Sequence, residues 1–168
     1  MIREAQLQDT NSLAALALQV WLTTYTPDGM RDDYAHFALT TFTPKYFSQL
    51  IDNPECKVMV YVRDNALIGF AVVNFESQYQ ENDYGFEIEK LYVHNAFQGQ
   101  GIGKKLLAEI QRHWGAEFWL YTWVENTSNL FYQRLGLEHI GSFNFDFSGT
   151  QIVNNVYRSK KHKSIFSK

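Results

Sequence analysis

The chain has 168 residues, of which 45% are hydrophobic and 16% aromatic, an amount of apolar material that suits one packed core. Its single cysteine, Cys56, excludes an internal disulfide, leaves too few thiols for a cysteine zinc site, and favours a reducing, cytoplasmic setting. The net charge is −3, yet four lysines lie in the last ten residues, so residues 1–158 carry −7. An acidic body disfavours nucleic-acid binding and favours a neutral or cationic substrate.

The chain contains no repeat, low-complexity tract or linker that would predict an internal boundary. We therefore expect a single domain over residues 1–160, followed by a basic, flexible tail at residues 161–168. Nothing in the sequence predicts a signal peptide or a membrane span, so no membrane partner is expected.

The first 54 residues predict a short strand followed by helices. After "MIREA", apolar residues recur at helical spacing from Leu13 to Val20, with Asp9 or Thr10 as the N-cap. The segment "TPDGM" ends that helix. Two further helices are predicted at "RDDYAHFALTTF" and "TPKYFSQLIDNP".

The pattern then changes to β-branched and aromatic runs. "KVMVYVR" and "ALIGFAVVNF" predict a hairpin around Asp64-Asn65, and "YGFEIEKLYV" and "FWLYTWV" predict two more strands. A helix is predicted from Ile102, a shorter one at "SNLFYQRLG", and a closing hairpin from "LEHIGSFNFDF" and "TQIVNNVYRS". This order predicts a mixed α/β fold with helices on both faces of a central sheet.

The segment "QGQGIGKK" at residues 98–105 has glycines at every second position, between a predicted strand and a predicted helix. It fits neither the P-loop pattern nor the Rossmann G-x-G-x-x-G fingerprint. Glycines that open a helix bring unpaired N–H groups and the positive end of the helix dipole to one point. The segment therefore predicts a site for a phosphate-bearing cofactor, in preference to a flexible turn.

The surrounding residues are more specific. "EKLYV" followed by Q-x-x-G-x-G resembles the signature of the GCN5-related N-acetyltransferase (GNAT) superfamily, and "WLYTWVENTSNLFYQRLGL" resembles its second conserved block. The resemblance runs from about Val58 to Leu137. Within it, the sequences of the two motif segments are similar to those of bacterial polyamine (spermidine/spermine) acetyltransferases. It implies a mostly antiparallel central sheet of six to seven strands with helices on both faces, acetyl-CoA as co-substrate, and no metal.

The resemblance also implies cofactor contacts. The pantetheine arm would add beside the third strand of the meander and pair with the backbone of Leu91, Tyr92 and Val93, and the Val93 amide would polarise the thioester carbonyl. Asn126 corresponds to a cofactor-binding asparagine of the family, although it precedes Tyr132 by six residues instead of seven. The pyrophosphate would contact Gln98, Gly99, Gln100, Gly101, Ile102, Gly103 and Lys104.

Three residues are candidates for proton transfer. Tyr132 occupies the position of the family's tyrosine, which implies a general acid that returns a proton to the CoA thiolate; the alternative is a buried core tyrosine. Glu87 and Glu89 lie two residues apart on a predicted strand and so share one face. Either could remove the proton of an amine, and the alternative is a solvated pair on a sheet edge.

The expected function is acetyl transfer from acetyl-CoA to a primary amine, taken to be a small cationic amine, by direct attack in a ternary complex. A protein or peptide N-acetyltransferase and a non-catalytic acyl-CoA-binding sensor stay open as alternatives. The closing strands leave a homodimer possible. Candidates for contact with the acceptor are aromatic or acidic: Trp21, Tyr25, Phe75, Trp123, Glu76, Glu81 and Asp83.

Overall fold

A seven-stranded sheet forms the centre of the computed structural model, which describes residues 1–160 and Ile165. Its strand order is β1-β2-β3-β4-β5-β7-β6, and all neighbouring strands are antiparallel except β4 and β5. The mixed, mostly antiparallel sheet is therefore confirmed. The strands are β1 (Ile2–Glu4), β2 (Cys56–Arg63), β3 (Ala66–Asn74), β4 (Phe86–Val93), β5 (Phe118–Trp123), β6 (Glu138–Phe147) and β7 (Thr150–Arg158).

Helices cover both faces of this sheet, as predicted. They are α1 (Thr10–Tyr25), α2 (Asp32–Thr41), α3 (Pro44–Asp52), α4 (Ile102–Trp114) and α5 (Ser128–Arg134). The first three pack on one face, where Leu13 and Phe47 meet Phe70 of β3. On the other face, Leu106 of α4 packs against Met59 of β2. Because both faces are covered, β2 and β3 are apolar on both sides.

Local turn and cap chemistry explains most of the boundaries. Asp64 and Asn65 adopt φ of 51° and 62°, as a two-residue hairpin with the favoured twist requires. The Thr43 hydroxyl accepts a hydrogen bond from the Tyr46 amide at 3.1 Å and so caps α3. Both the hairpin and this helix follow the prediction.

The predicted capping of α1 by Asp9 is corrected in part. Asp9 occupies the N-cap position, but its side chain makes no cap hydrogen bond to α1. The Asp9 carboxylate instead accepts two hydrogen bonds from the Arg3 guanidinium, at 2.7 and 2.9 Å, and one from the Gln6 amide at 2.7 Å. This fork-to-fork pair takes both carboxylate oxygens and ties β1 to the start of the helical region.

The predicted basic tail lies outside the described residues, except for Ile165. The Ile165 amide donates to Gln111 Oε1 on α4 at 2.9 Å. Within the described residues, no helix combines the length and the apolar character that a membrane crossing requires.

The single parallel pair creates an opening in the sheet. The register of β4 and β5 joins Phe86 to Phe118 and Glu87 to Trp119, at the start of each strand, and does not continue in the described residues. A bulge follows in β4, because Val73 pairs with Ile88 and Val72 with Lys90, leaving Glu89 as an extra residue. The carboxyl ends of the two strands therefore diverge, and we call the space between them the β4–β5 gap.

Candidate active site

One wall of the β4–β5 gap is the backbone of β4. The His94 amide donates to the Ile68 carbonyl of β3 at 2.9 Å. Because successive N–H groups in a strand point to opposite edges, the Tyr92 amide also points to β3, whereas the Leu91 and Val93 amides point into the gap. The sheet thus presents two backbone donors at this edge.

The glycine segment lies at the carboxyl end of β4. Gly99 and Gly101 both have φ of +77°, in the left-handed region that favours glycine. A Cβ atom built at either position would meet, its chain neighbours aside, no atom of any other residue that the structure describes within 4 Å. Gly101 is the N-cap of α4, and no side chain among the described residues caps this end. The first turn of α4 therefore directs its amides and its positive dipole end at open space.

Gly103 has a different role from the two glycines before it. It lies inside α4, where a Cβ atom would come within 3.2 Å of Phe131 Cζ and 3.7 Å of Leu91 Cδ2. The missing side chain allows α5 to approach α4 and the end of β4. Sequence spacing had grouped all three glycines as one cradle, because close helix contact cannot be distinguished from ligand contact without the tertiary structure.

The two glutamines of the segment hold its backbone. Gln98 Nε2 donates to the Val93 carbonyl at 3.1 Å and to Asn95 Oδ1 at 3.3 Å, and Gln100 Nε2 lies 3.5 Å from the Ala96 carbonyl. Lys104, in the first turn of α4, is half-buried.

The turn before the glycines is fastened to α1. Gln19 Nε2 lies 3.0 Å from His94 Nε2, and Asn95 Nδ2 donates to the Thr23 hydroxyl at 2.9 Å. Sequence reasoning missed Gln19 and Thr23. Their signal is the pair of polar residues four apart on a largely apolar helix, which the hydrophobic pattern alone treats as solvated surface.

Glu87 and Glu89 lie in the wall of one cavity, beside the point where β4 and β5 separate. Only 5% of Glu87 is exposed, and burial raises the pKa of its carboxyl above the ordinary glutamate range; the charge of Glu89 adds to this, while Ser77 and Lys90 oppose it. Glu89 Oε1 accepts a hydrogen bond from Asn74 Nδ2 at 2.8 Å. The cavity therefore combines a desolvated carboxyl with one that is held in place.

The opposite wall of this cavity comes from β5, and its residues Trp119 and Tyr121 were missed by sequence reasoning. Burial and the two glutamates raise the pKa of Tyr121 to about 12. Trp119, beside Glu87 in the strand register, is 4% exposed, and its indole N–H has no hydrogen-bond partner in the described part of the chain. Alternation along "FWLYTWV" places Trp119, Tyr121 and Trp123 on one face, a signal that the sequence did carry.

Tyr132 is 7% exposed on α5. Its ring lies 5.3 Å from that of Phe131 and 5.8 Å from that of Tyr157. Burial, with a smaller contribution from Tyr157, raises the pKa of its phenol, so the hydroxyl is protonated at neutral pH. A Cβ atom at Gly103 would lie 3.2 Å from Phe131 Cζ, so this part of α5 packs beside the start of α4, near Leu91 of β4.

Asn126 lies in the turn between β5 and α5. Its Oδ1 accepts a hydrogen bond from the Ser128 amide at 2.9 Å, so the side chain supports the start of α5. A second asparagine, Asn129, is 8% exposed and bonded to both β5 and β7. Sequence reasoning gave Asn129 no role, because one polar residue on a short helix carries no signal of its partners.

The residues predicted to contact the acceptor do not all lie together in the structure. Trp21, Tyr25 and Trp123 come together: the Tyr25 ring lies 4.8 Å from that of Trp21 and stacks on that of Trp123 at 5.4 Å. Phe75 instead packs against Phe86 and Trp114 on the α4 side. The acidic candidates are exposed in the connection between β3 and β4 and do not line the cavity: Glu76, Glu81 and Asp83.

Within residues 1–160 and at Ile165, no three histidine, cysteine, aspartate or glutamate side chains are grouped as metal ligands would be. Cys56 is buried, and burial raises the pKa of its thiol. This thiol is therefore poorly suited to act as a nucleophile.

The sequence of the chain is similar to those of known proteins. The model of the acetyltransferase (GNAT) domain matches residues 54–138. The chain is 30% identical over 162 residues to the uncharacterized N-acetyltransferase YuaI of Bacillus subtilis (strain 168), covering 90% of this chain and 87% of that protein. It is 28% identical over 145 residues to an uncharacterized N-acetyltransferase from the pepI 3′ region of Lactobacillus delbrueckii subsp. lactis, covering 79% and 83%.

Among solved structures, the PaiA N-acetyltransferase of Thermoplasma acidophilum in complex with coenzyme A has a TM-score of 0.75 and 19% identity, over 96% of this chain and 98% of that one. At this identity the likeness establishes the fold. The match of the domain model and the similarity to YuaI establish the family. The chain belongs to the GNAT acetyltransferase family and is an N-acetyltransferase.

Proposed function

We propose that this N-acetyltransferase moves the acetyl group of acetyl-CoA, the co-substrate of its family, to a small cationic primary amine by direct attack in a ternary complex. The observation that carries the proposal is the position of Glu87. Its buried carboxyl lies in a cavity at the point where β4 and β5 separate, and the open glycine segment lies at the far end of the same gap.

The residues around the gap fit acetyl-CoA. The space beside Gly99 and Gly101 admits a pyrophosphate close to the backbone, where the first-turn amides of α4 and the charge of Lys104 favour an anion. When bound, acetyl-CoA supplies the acetyl thioester. Gln98 and Gln100 keep the segment in shape, Ile102 and Gly103 offer amides of the first turn, and Asn126 is a further candidate contact through Nδ2.

Two backbone donors on β4 serve the pantetheine arm. The amides of Leu91 and Val93 point into the gap, whereas that of Tyr92 points to β3, so Tyr92 contributes as a neighbouring part of the strand. One of these two amides polarises the thioester carbonyl, as a fixed donor does at a developing oxyanion. Leu91 is the nearer of the two to Glu87 along the strand.

The cavity residues then act on the amine. The Glu87 and Glu89 carboxylates attract the ammonium group, and Glu87 removes its proton, directly or through a water molecule. The raised pKa of Glu87 makes it a stronger base than an exposed glutamate. After the amine has attacked the thioester carbonyl, Tyr132 gives its phenolic proton to the departing thiolate.

The test is a CoA-release assay with acetyl-CoA and three acceptors: spermidine, an aminoglycoside and a peptide with a free N-terminus. We expect the small polyamine to have the highest kcat/KM, because a cavity lined by one buried and one half-buried carboxylate suits a slender cation. Glu87→Gln should lower kcat for whichever amine is used. Preference for the peptide would favour a protein N-acetyltransferase, and tight acetyl-CoA binding without turnover of any amine would overturn the proposal.

A further inference from the structure

We propose that Asn129 is a positioning residue that sets the orientation of the Tyr132 phenol and keeps the neighbouring Tyr157 hydroxyl from taking its place. The inference rests on the proposed role of Tyr132 as the proton donor. It concerns a side chain that neither the glycine segment nor the acidic cavity includes.

The Asn129 carboxamide joins three separate segments. Its Nδ2 donates to the carbonyls of Trp123, Val124 and Asn126, at 2.9, 3.3 and 2.7 Å, which fastens the start of α5 to the end of β5. Its Oδ1 accepts from Asn155 Nδ2 at 3.0 Å and from the Tyr157 hydroxyl at 2.9 Å, both on β7. Both ends of one buried amide are thus fully bonded, which holds it in a single orientation.

The Asn129 side chain makes more hydrogen bonds than are needed to hold the start of a helix. Asn126 already accepts from the Ser128 amide at the beginning of α5. The Asn129 oxygen makes no bond within α5 and reaches instead to β7, so it restricts rotation of the short helix about its own axis. Gln133, one turn further along, makes a longer contact of 3.5 Å from its Nε2 to the same Tyr157 hydroxyl.

The orientation of the Tyr132 side chain depends on the rotation of α5 about its axis. Tyr132 lies three residues after Asn129 on the same helix, and its ring is 5.8 Å from that of Tyr157. Two buried phenols thus lie side by side, and only one can serve the thiolate. The Tyr157 hydroxyl is occupied by Asn129 and Gln133, whereas the hydroxyl of Tyr132 makes no hydrogen bond to any residue that the structure describes. Asn129 therefore leaves Tyr132 as the available donor.

The test is a double-mutant cycle on kcat, with Asn129→Ala and Tyr132→Phe made singly and together. We expect Asn129→Ala to lower kcat by about 10- to 100-fold, the size that a misplacement of about 1 Å can cause. The KM for acetyl-CoA should change by less than about two-fold, because the glycine segment and β4 are untouched. In the Tyr132→Phe background, Asn129→Ala should have no further effect on kcat.

Two companion variants separate orientation from simple loss of stability. Tyr157→Phe removes one hydroxyl, keeps the ring against Tyr132, and should lower kcat less than Asn129→Ala does. Leu130→Ala alters the neighbouring α5 residue, whose side chain is 56% exposed, and should leave kcat unchanged. Tm is measured for every variant, and kinetics are recorded well below the lowest Tm.

The outcomes are distinct. Equal losses from Asn129→Ala in both backgrounds, or a lowered Tm with unchanged kcat, would overturn the positioning role and leave the proposed function intact. Tyr132→Phe with wild-type kcat would overturn the proton-donor role itself and, with it, this inference. Non-additive losses with an unchanged KM for acetyl-CoA would support it.

Discussion

At the residue scale, the acidic cavity combines two glutamates with different surroundings. Glu87 is almost fully buried and has a raised pKa, whereas Glu89 is half-buried and bonded to Asn74. Sites that transfer protons typically contain neighbouring carboxyl groups whose different surroundings suit them to different roles. In the proposed mechanism, this difference favours Glu87 for proton removal and Glu89 for attraction of the cation.

This assignment predicts the pH dependence of the reaction. Only ionised Glu87 can act as a base, so kcat/KM should rise with pH through a pKa above the ordinary glutamate range, and Glu87→Gln should remove that limb. Glu89→Gln removes a charge that raises the pKa of Glu87, so the limb should move to lower pH and the KM of the amine should rise. A pH profile unchanged by both substitutions would contradict the assignment.

The same burial affects stability, with a definite sign. A carboxyl whose pKa is higher in the folded state than in the unfolded state destabilises the fold as pH rises through that interval. Glu87→Gln should therefore increase the free energy of unfolding relative to wild type above the ordinary glutamate pKa, and the gain should shrink toward acid pH. Denaturant unfolding at several pH values measures it, and a loss of stability at neutral pH would contradict it.

At the element scale, the start of α4 separates ligand contact from packing. Gly101 is left-handed with open space beside it, whereas Gly103 is helical and close to Phe131. A sequence motif alone does not distinguish the roles of these two glycines. Their different surroundings predict different consequences when a methyl group is added.

Gly101→Ala should raise the KM for acetyl-CoA by about ten-fold or more, because the methyl group enters the proposed phosphate space, while the left-handed backbone costs about 1 kcal/mol. Gly149→Ala is the matched control: it has φ of +80° and equally open space, in the β6–β7 turn. It should have a similar effect on Tm and none on this KM. Equal KM values for the two variants would contradict a phosphate site at Gly101.

Aromatic rings connect the helices to the far half of the sheet. Tyr25 of α1 stacks on Trp123 of β5, and Phe147 of β6 lies 4.8 Å from Tyr34 and 5.3 Å from Phe37 of α2. We call these five residues the aromatic bridge. It spans the same face as the acidic cavity, so we expect it to limit the room for the proposed acceptor.

Removing part of the aromatic bridge should broaden acceptor choice. Trp123→Ala is expected to raise kcat/KM for an aminoglycoside relative to spermidine, since the stack with Tyr25 is lost. Phe75→Ala removes an aromatic ring on the opposite face and should leave the ratio unchanged. The ratio of the two kcat/KM values is the measurement, and a Trp123→Ala ratio within about two-fold of wild type would contradict the role of the bridge.

At the scale of the whole molecule, hydrophobic periodicity predicted the elements because each strand and helix buries one or both faces in a sheet covered on both sides. Leu106, for example, lies where helical spacing requires. Periodicity cannot report contacts between distant segments. The bond of Asp9 to Arg3, the packing of Gly103 on Phe131 and the network of Asn129 all depend on which elements become neighbours, and none has a signature in local sequence.

The β4–β5 gap has a consequence for how the chain behaves in solution. A sheet in which two neighbouring strands pair, within the described residues, only at the start of each strand is an interrupted ladder, and a ligand that bonds to its free edge would complete it like an inserted strand. Amide hydrogen exchange should show this residue by residue. Coenzyme A should slow exchange at Leu91 and Val93 and leave Tyr92, already bonded to β3, almost unchanged, so that substrate binding is in part the last step of sheet formation.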